Sequence, residues 1–95
     1  MTTLKAALET LNARKAEAYD RMDKAEDANA EATRKADEAE AKFIEGEITE
    51  KEFDAFADAE HDAYAELVEA RIEYENFRKA ADEMQKMIDH LERWF

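Results

Sequence analysis

This sequence of 95 residues contains a single glycine and no proline. Gly46 lies almost at the midpoint, and the long segments on either side contain no residue that breaks a helix. Ala, Glu, Lys, Leu and Arg dominate both segments and favour helix. Glycine suits the left-handed residue that ends a helix, because it lacks a Cβ. The sequence therefore predicts one all-α hairpin domain over 1–95, with a helix over 3–44, a loop over 45–48 and a second helix over 49–94.

The segment 49–52, with the letters TEKE, has the pattern of a capping box. In this motif Thr49 accepts a hydrogen bond from the backbone N–H of Glu52, and the Glu52 carboxylate reaches back to the N–H of Thr49. Ile48 and Phe53 stand at the positions of a hydrophobic staple around the cap. Together these signals predict the start of the second helix.

Apolar residues recur in both halves at alternating spacings of four and three, the signature of heptads. Six heptads in each half exceed the three or four that indicate a coiled coil. The predicted fold is an antiparallel two-helix coiled-coil hairpin. The a positions are Leu8, Lys15, Met22, Asn29, Ala36 and Phe43, then Phe53, Glu60, Leu67, Tyr74, Ala81, Ile88 and Phe95; the d positions are Leu4, Leu11, Ala18, Ala25, Ala32 and Ala39, then Phe56, Ala63, Ala70, Phe77, Met84 and Leu91.

A chain that folds back at Gly46 brings together residues whose numbers add up to a constant. If the two residue numbers of each facing pair sum to 92, every a position lies opposite a d position. Pairs such as Ala25 with Leu67 then match a small side chain to a large one. Such pairs permit close packing of the two helices. The same register brings together three pairs of opposite charge: Lys42 with Glu52, Arg21 with Glu73, and Lys5 with Glu92.

Polar residues interrupt the predicted seam at Lys15, Asn29 and Glu60. Polar side chains at a positions commonly fix register or oligomeric state at some cost in stability. A locally wet seam is one interpretation of these residues. A hinge or a ligand site in the middle of the hairpin is the other.

Further apolar residues lie at g positions, outside the seam. One seam made largely of Ala offers little hydrophobic stabilisation against about 1–2 kcal/mol of backbone entropy per ordered residue. We expect the g residues to bury against a second copy, which would give a four-helix-bundle dimer. A hairpin closed on itself and a hetero-complex are the alternatives. The expected dimer interface is Ala7, Ala28, Ala59, Ala80, Met87 and Trp94.

The formal net charge of −12 is concentrated in 45–75, which holds 12 acidic residues against Lys51 and Arg71. An apolar strip with an acidic rim crosses this segment and is typical of an interface with a basic partner. Burial of the strip in the homodimer is an equal alternative. The expected partner-binding residues are Glu52, Asp58, His61, Asp62, Tyr64, Val68, Glu69, Ile72 and Glu73.

The composition argues against several classes of chemistry. No Cys is present, so thiolate metal sites and thiol nucleophiles are excluded. Asp58-x-x-His61 resembles a bundle metal motif, but a second copy of the motif is missing. We therefore expect no cofactor, no metal and no enzymatic activity. The acidic charge also argues against direct nucleic-acid binding, and the absence of a long apolar run argues against membrane insertion and favours a cytoplasmic location.

Two functional hypotheses follow from these features. The first is a non-enzymatic protein-interaction module, in its sharper form an acidic inhibitor that imitates nucleic acid and occupies the basic groove of a nucleic-acid-binding protein such as a host-defence nuclease complex. Small acidic proteins of this type are typical of phages and mobile elements. The second hypothesis is a structural coiled-coil spacer or assembly adaptor.

Overall fold

The structure is a computed structural model that describes residues 2–94. It contains two helices: α1, Thr2–Ile44, of 43 residues, and α2, Glu50–Trp94, of 45 residues. No strand occurs within the described residues. The predicted all-α, two-helix hairpin is therefore confirmed. Phe95, which the heptads place at an a position, lies outside the described residues.

Gly46 ends α1 in a Schellman motif. Its φ of 78° lies in the left-handed region, as predicted. The N–H of Gly46 donates to the carbonyl of Phe43 at 3.0 Å, and the N–H of Glu47 donates to the carbonyl of Lys42 at 2.8 Å. These two bonds satisfy carbonyls that the end of a helix otherwise leaves unpaired. The chain can then reverse direction within five residues.

The predicted capping box forms at the start of α2. The N–H of Glu52 donates to Oγ1 of Thr49 at 3.1 Å, and the N–H of Thr49 donates to Oε1 of Glu52 at 3.4 Å. The N–H of Phe53 donates to the Thr49 carbonyl at 3.0 Å, which is the first backbone bond of the helix. Thr49 is therefore the N-cap, and Glu50 is the first helical residue.

The core consists of small side chains. Eight apolar residues are buried within the described chain, and all eight occupy predicted a or d positions. Six of the eight are Ala, so the helices meet largely through methyl groups. The buried residues are Ala18, Ala25, Ala36, Ala39, Leu67, Ala70, Ala81 and Ile88.

The chain divides into two compact units. The turn unit is Asp23–Glu69 and contains the loop, the end of α1 and the start of α2. The terminal unit joins the described parts of Met1–Met22 and Ala70–Phe95. Each unit therefore contains a segment of both helices and has its own buried residues.

Two predicted charge pairs form in the terminal unit. Arg21 donates a hydrogen bond to Glu73, and Nζ of Lys5 lies 3.0 Å from Oε1 of Glu92. Both pairs join α1 to α2, as predicted for this unit. The ring of Tyr74 also packs edge-on against Tyr19 of α1, with centroids 5.6 Å apart.

The turn unit is closed next to the loop by two aromatic rings. Phe43 of α1 stacks on Phe53 of α2 with centroids 5.4 Å apart and planes 16° from parallel. Phe43 and Phe56 nevertheless remain exposed, although the heptads place both in the seam. Only two helices are available to cover them, and the Phe53 ring covers one face of Phe43 alone, so part of each exposed ring stays in contact with solvent.

Candidate protein-interaction surface

Formal charge is divided sharply between the two units. The turn unit holds 17 acidic and five basic residues, a net charge of −12. The terminal unit holds nine of each and is neutral. The entire net charge of the chain therefore belongs to the turn unit, Asp23–Glu69. This unit has other bounds than the acidic segment 45–75 that the sequence indicates.

A row of four carboxylates runs along α2 within the turn unit: Asp54, Asp58, Asp62 and Glu66, spaced four residues apart. All four are exposed. Residues four apart lie on the same face of a helix, and four residues rise about 6 Å along its axis. These four residues, which we call the acidic row, form a regular line of negative charge that winds gradually around α2.

Seven of the nine predicted partner-binding residues belong to the turn unit. Six of them are exposed, among them Tyr64 with 55% of its surface accessible, and Val68 is half-buried. The six exposed residues are Glu52, Asp58, His61, Asp62, Tyr64 and Glu69.

The other two predicted residues, Ile72 and Glu73, belong to the terminal unit. Ile72 is exposed. Glu73 is half-buried, and its carboxylate already accepts a hydrogen bond from Arg21. A carboxylate in an ion pair offers less charge to a partner, so Glu73 is a weaker candidate for partner binding than the exposed acids of the turn unit.

A groove opens in the turn unit where the seam is polar. Its volume is about 370 Å³. Asn29 and Glu60, which both interrupt the apolar seam, lie half-buried in its wall. Neither side chain has a hydrogen-bond or ion-pair partner among residues 3–94. The residues that line this groove, which we call the seam groove, are Asn29, Thr33, Ala57, Glu60, His61 and Tyr64.

A larger groove of about 720 Å³ lies in the terminal unit. Arg14 and Glu17 line it together with the Arg21–Glu73 pair, and Phe77 contributes an apolar wall. Charges of both signs therefore alternate around it. No single sign of ligand charge is favoured at this place.

The predicted dimer residues are also divided between the units. Met87 and Trp94, with 52% and 76% of their surfaces accessible, lie in the terminal unit. Ala7 and Ala80 of the same unit are half-buried. Ala28 and Ala59 are exposed and belong to the turn unit. The large apolar side chains of this set, which a second copy could cover, are therefore in the neutral unit.

Two arginine networks were not predicted from the sequence. Nε of Arg34 donates to Glu31 at 3.1 Å and its other arm donates to Glu38; Arg78 bonds Glu75 and Asp82 in the same way. The hydrogen bond from Arg34 lowers the pKa of Glu31, and Glu31 in turn raises the pKa of Arg34. The sequence signal for both networks is an acid three residues before and another four residues after the Arg.

Two other kinds of site are absent within residues 2–94. No group of three or more His, Cys, Asp or Glu side chains is arranged to hold a metal ion in this range. In the same part of the chain, neither helix has an apolar stretch long enough to cross a membrane.

Comparisons of the chain with protein-family models, with curated proteins and with solved structures found no match.

Proposed function

We propose that this chain is a non-enzymatic interaction module whose turn unit binds a protein with a basic surface. The single observation that carries the proposal is the division of charge, −12 in the turn unit and zero in the terminal unit. Concentrated negative charge speeds the encounter with a basic partner and orients it.

Asp54, Asp58 and Asp62 of the acidic row support this proposal because the spacing of these three like charges does not help the helix that carries them. Glu50 and Glu52 lie in the first turn of α2, where negative charge stabilises the helix dipole. Asp58 and Asp62 lie beyond that turn. Like charges four residues apart destabilise a helix by about 0.2–0.5 kcal/mol for each pair. This loss of helix stability recurs along the row, and we expect such a pattern where the charges serve binding.

In its finer form, the proposal is that the partner is a nucleic-acid-binding protein and that the chain inhibits it. A line of carboxylates that advances about 6 Å along the helix axis with each step presents regular negative charge to a groove that normally holds a phosphate backbone. Such a partner would be met in the cytoplasm. The chain would then compete with nucleic acid without binding nucleic acid itself.

The test is competition against DNA for a basic, nucleic-acid-binding domain. A duplex oligonucleotide is displaced from the domain by the chain at 50 and 200 mM salt. We expect apparent affinity to fall by about tenfold or more between the two, as it does when several charge contacts form. Affinity that is unchanged by salt would contradict the proposal.

A matched pair of variants makes the test specific to the acidic row. The row variant changes Asp54, Asp58, Asp62 and Glu66 to their amides. The control variant makes the same change at four acids of the terminal unit, Glu9, Glu17, Asp20 and Glu83. Each variant loses four negative charges, so an equal loss of competition in the two variants would show that only total charge matters. We expect loss in the row variant alone.

We further propose that the terminal unit joins two copies of the chain. Its zero net charge avoids the repulsion that two turn units of −12 would experience. Met87 and Trp94, with 52% and 76% of their surfaces accessible, supply large apolar side chains that a second copy could cover.

Sedimentation of the Trp94→Glu and Met87→Glu variants tests this association. Each substitution places a charge on a large exposed apolar side chain of the neutral unit, so we expect weaker association of the two copies. Ala59→Glu and Ala28→Glu place the same charge at exposed positions of the turn unit and serve as controls. Sedimentation that is identical in all four variants would contradict the proposal.

A structural spacer is the second candidate function, and the exposed Tyr64 favours it because a second copy of the chain could cover that ring. Tyr64→Ser with Val68→Ser separates the two candidates. An interaction module loses partner capture and keeps its oligomeric state. A spacer changes its oligomeric state instead.

A further inference from the structure

The seam groove is the place in the turn unit where polar side chains converge without partners. Asn29 comes from α1 and Glu60 from α2, and both occupy a positions, which apart from Lys15 are otherwise filled by apolar residues. Each is half-buried and has no hydrogen-bond or ion-pair partner among residues 3–94. Both polar groups therefore line one opening and stay accessible to a ligand that enters it.

The chemistry of the lining suits a cation that is planar and donates several hydrogen bonds. The Glu60 carboxylate supplies negative charge and two acceptor oxygens, and the Asn29 amide supplies a neutral acceptor. Tyr64 adds an aromatic ring, whose face attracts a guanidinium. No Lys or Arg of the described chain lines the groove, so none competes there for the carboxylate.

The volume of the seam groove and the negative charge of the turn unit restrict the kind of ligand further. The volume of about 370 Å³ is at the small end of the roughly 300–1,000 Å³ range of ligand pockets. The surrounding unit has a net charge of −12, which raises the local concentration of cations. A guanidinium is preferred over an ammonium because it is planar, less strongly hydrated and able to bond a carboxylate through two parallel N–H groups.

We propose that the seam groove receives the guanidinium of one arginine side chain from the basic partner, held by Glu60, Asn29 and the ring of Tyr64. This inference rests on the proposed function for the identity of the partner. The acidic row then attracts the partner's surface, and the seam groove fixes where one arginine of that surface is placed.

Nuclear magnetic resonance titration tests the site with three small probes. N-acetyl-L-arginine methylamide is added to the full chain, and the side-chain amide of Asn29 and the ring of Tyr64 are followed. The corresponding citrulline derivative is the neutral isostere, and the lysine derivative carries the same charge without the planar group. We expect saturable shifts at both residues with the arginine probe, none with citrulline, and at least threefold weaker binding of lysine.

Two single-charge variants locate the binding. Glu60→Gln removes the carboxylate of the groove, and we expect at least a fivefold loss of affinity for the arginine probe. Asp27→Asn makes the same charge change two residues from Asn29, at an exposed position outside the lining, and we expect less than a twofold loss. Amide spectra of both variants verify that the hairpin is intact.

Several results would overturn the inference. These are shifts spread evenly over the acidic row without saturation, equal binding of citrulline or lysine, and equal effects of the two variants. The proposed function fails separately. If the chain competes with DNA but the arginine probe does not bind, only the proposal for the seam groove is overturned. If the arginine probe binds but the chain does not compete with DNA, only the proposed inhibitor is overturned.

Discussion

Arg21 of α1 donates a hydrogen bond to Glu73 of α2, a residue 52 positions further along the chain. The pair is partly exposed, with 41% and 40% of the two side chains accessible. Water therefore screens the attraction, and ion pairs in such surroundings contribute about 0–1 kcal/mol. The pair fixes the register of the terminal unit more than it stabilises the fold.

A double-mutant cycle measures this coupling. We expect Arg21→Gln and Glu73→Gln to give an interaction energy of about 0.2–1 kcal/mol in urea unfolding. One molar NaCl should reduce that value, since salt shortens the range of exposed charges. A coupling above about 2 kcal/mol that resists salt would show that the pair is effectively buried.

Enlarging a buried Ala tests the close approach of the helices. Ala70 is fully buried, so we expect Ala70→Leu to lower the free energy of unfolding by about 1–3 kcal/mol through overpacking. Ala65 lies on the exposed surface of the same helix. Ala65→Leu should change stability by less than about 0.5 kcal/mol. Similar values for the two in chemical denaturation would mean that the seam has room to spare.

The left-handed turn residue gives a second stability test. A Cβ at Gly46 would have no atom within 4 Å, so a substitution there meets no steric contact, and only the backbone conformation opposes it. We expect Gly46→Ala to cost about 1 kcal/mol of folding free energy. Gly46→Asn should cost less, because Asn adopts this conformation more readily. Thermal unfolding of the two variants compares them, and an unchanged Ala variant would contradict the expectation.

Removing the cap of α2 should also destabilise the hairpin. Thr49→Ala deletes the acceptor for the N–H of Glu52, and loss of an N-cap costs about 0.5–2 kcal/mol. Thr10 is an exposed threonine inside α1 that bonds the carbonyl of Ala6. Thr10→Ala should be neutral or slightly stabilising, because Ala is the better helix former. Urea unfolding that ranks the two variants in the opposite order would refute the role of the cap.

The Arg34 network makes Glu31 sensitive to its neighbour. The pKa of Glu31 lies below the ordinary value because the charged form accepts the hydrogen bond from Arg34. The stabilisation is therefore fully present above the ordinary Glu pKa and disappears as pH falls through the lowered folded pKa. Carbon-13 titration of the carboxyl group should show this shift, and Arg34→Gln should return the pKa to its usual range. A pKa that does not change in the variant would be evidence against the pairing.

Local chemistry and periodicity were enough to predict the frame of this fold. Gly46, the cap at Thr49 and the buried a and d positions all follow from rules that act over one to seven residues. The contact between Tyr19 and Tyr74 was missed, because the register paired Tyr74 with Ala18. Tyr19 lies at an e position beside the small d residue Ala18, so its ring can reach across the seam. Whether it does so depends on its side-chain rotamer, which the heptad spacing alone does not determine.

The candidate surface could be predicted only in part. Charge counts located the acidic segment, but the division at Asp23 and Glu69 depends on how the chain packs. Periodicity likewise showed that Asn29 and Glu60 interrupt the seam. That they open onto one groove with His61 and Tyr64 depends on three-dimensional placement across both helices.

The alanine-rich seam also governs how stability responds to temperature. The heat-capacity change of unfolding grows with the apolar area that unfolding exposes, and globular proteins average about 12–15 cal/mol/K per residue. Six of the eight buried side chains are single methyl groups, so the most buried part of this chain contributes less apolar area than one built from larger side chains. Its stability curve should be correspondingly shallow, with a broad thermal transition and weak cold denaturation.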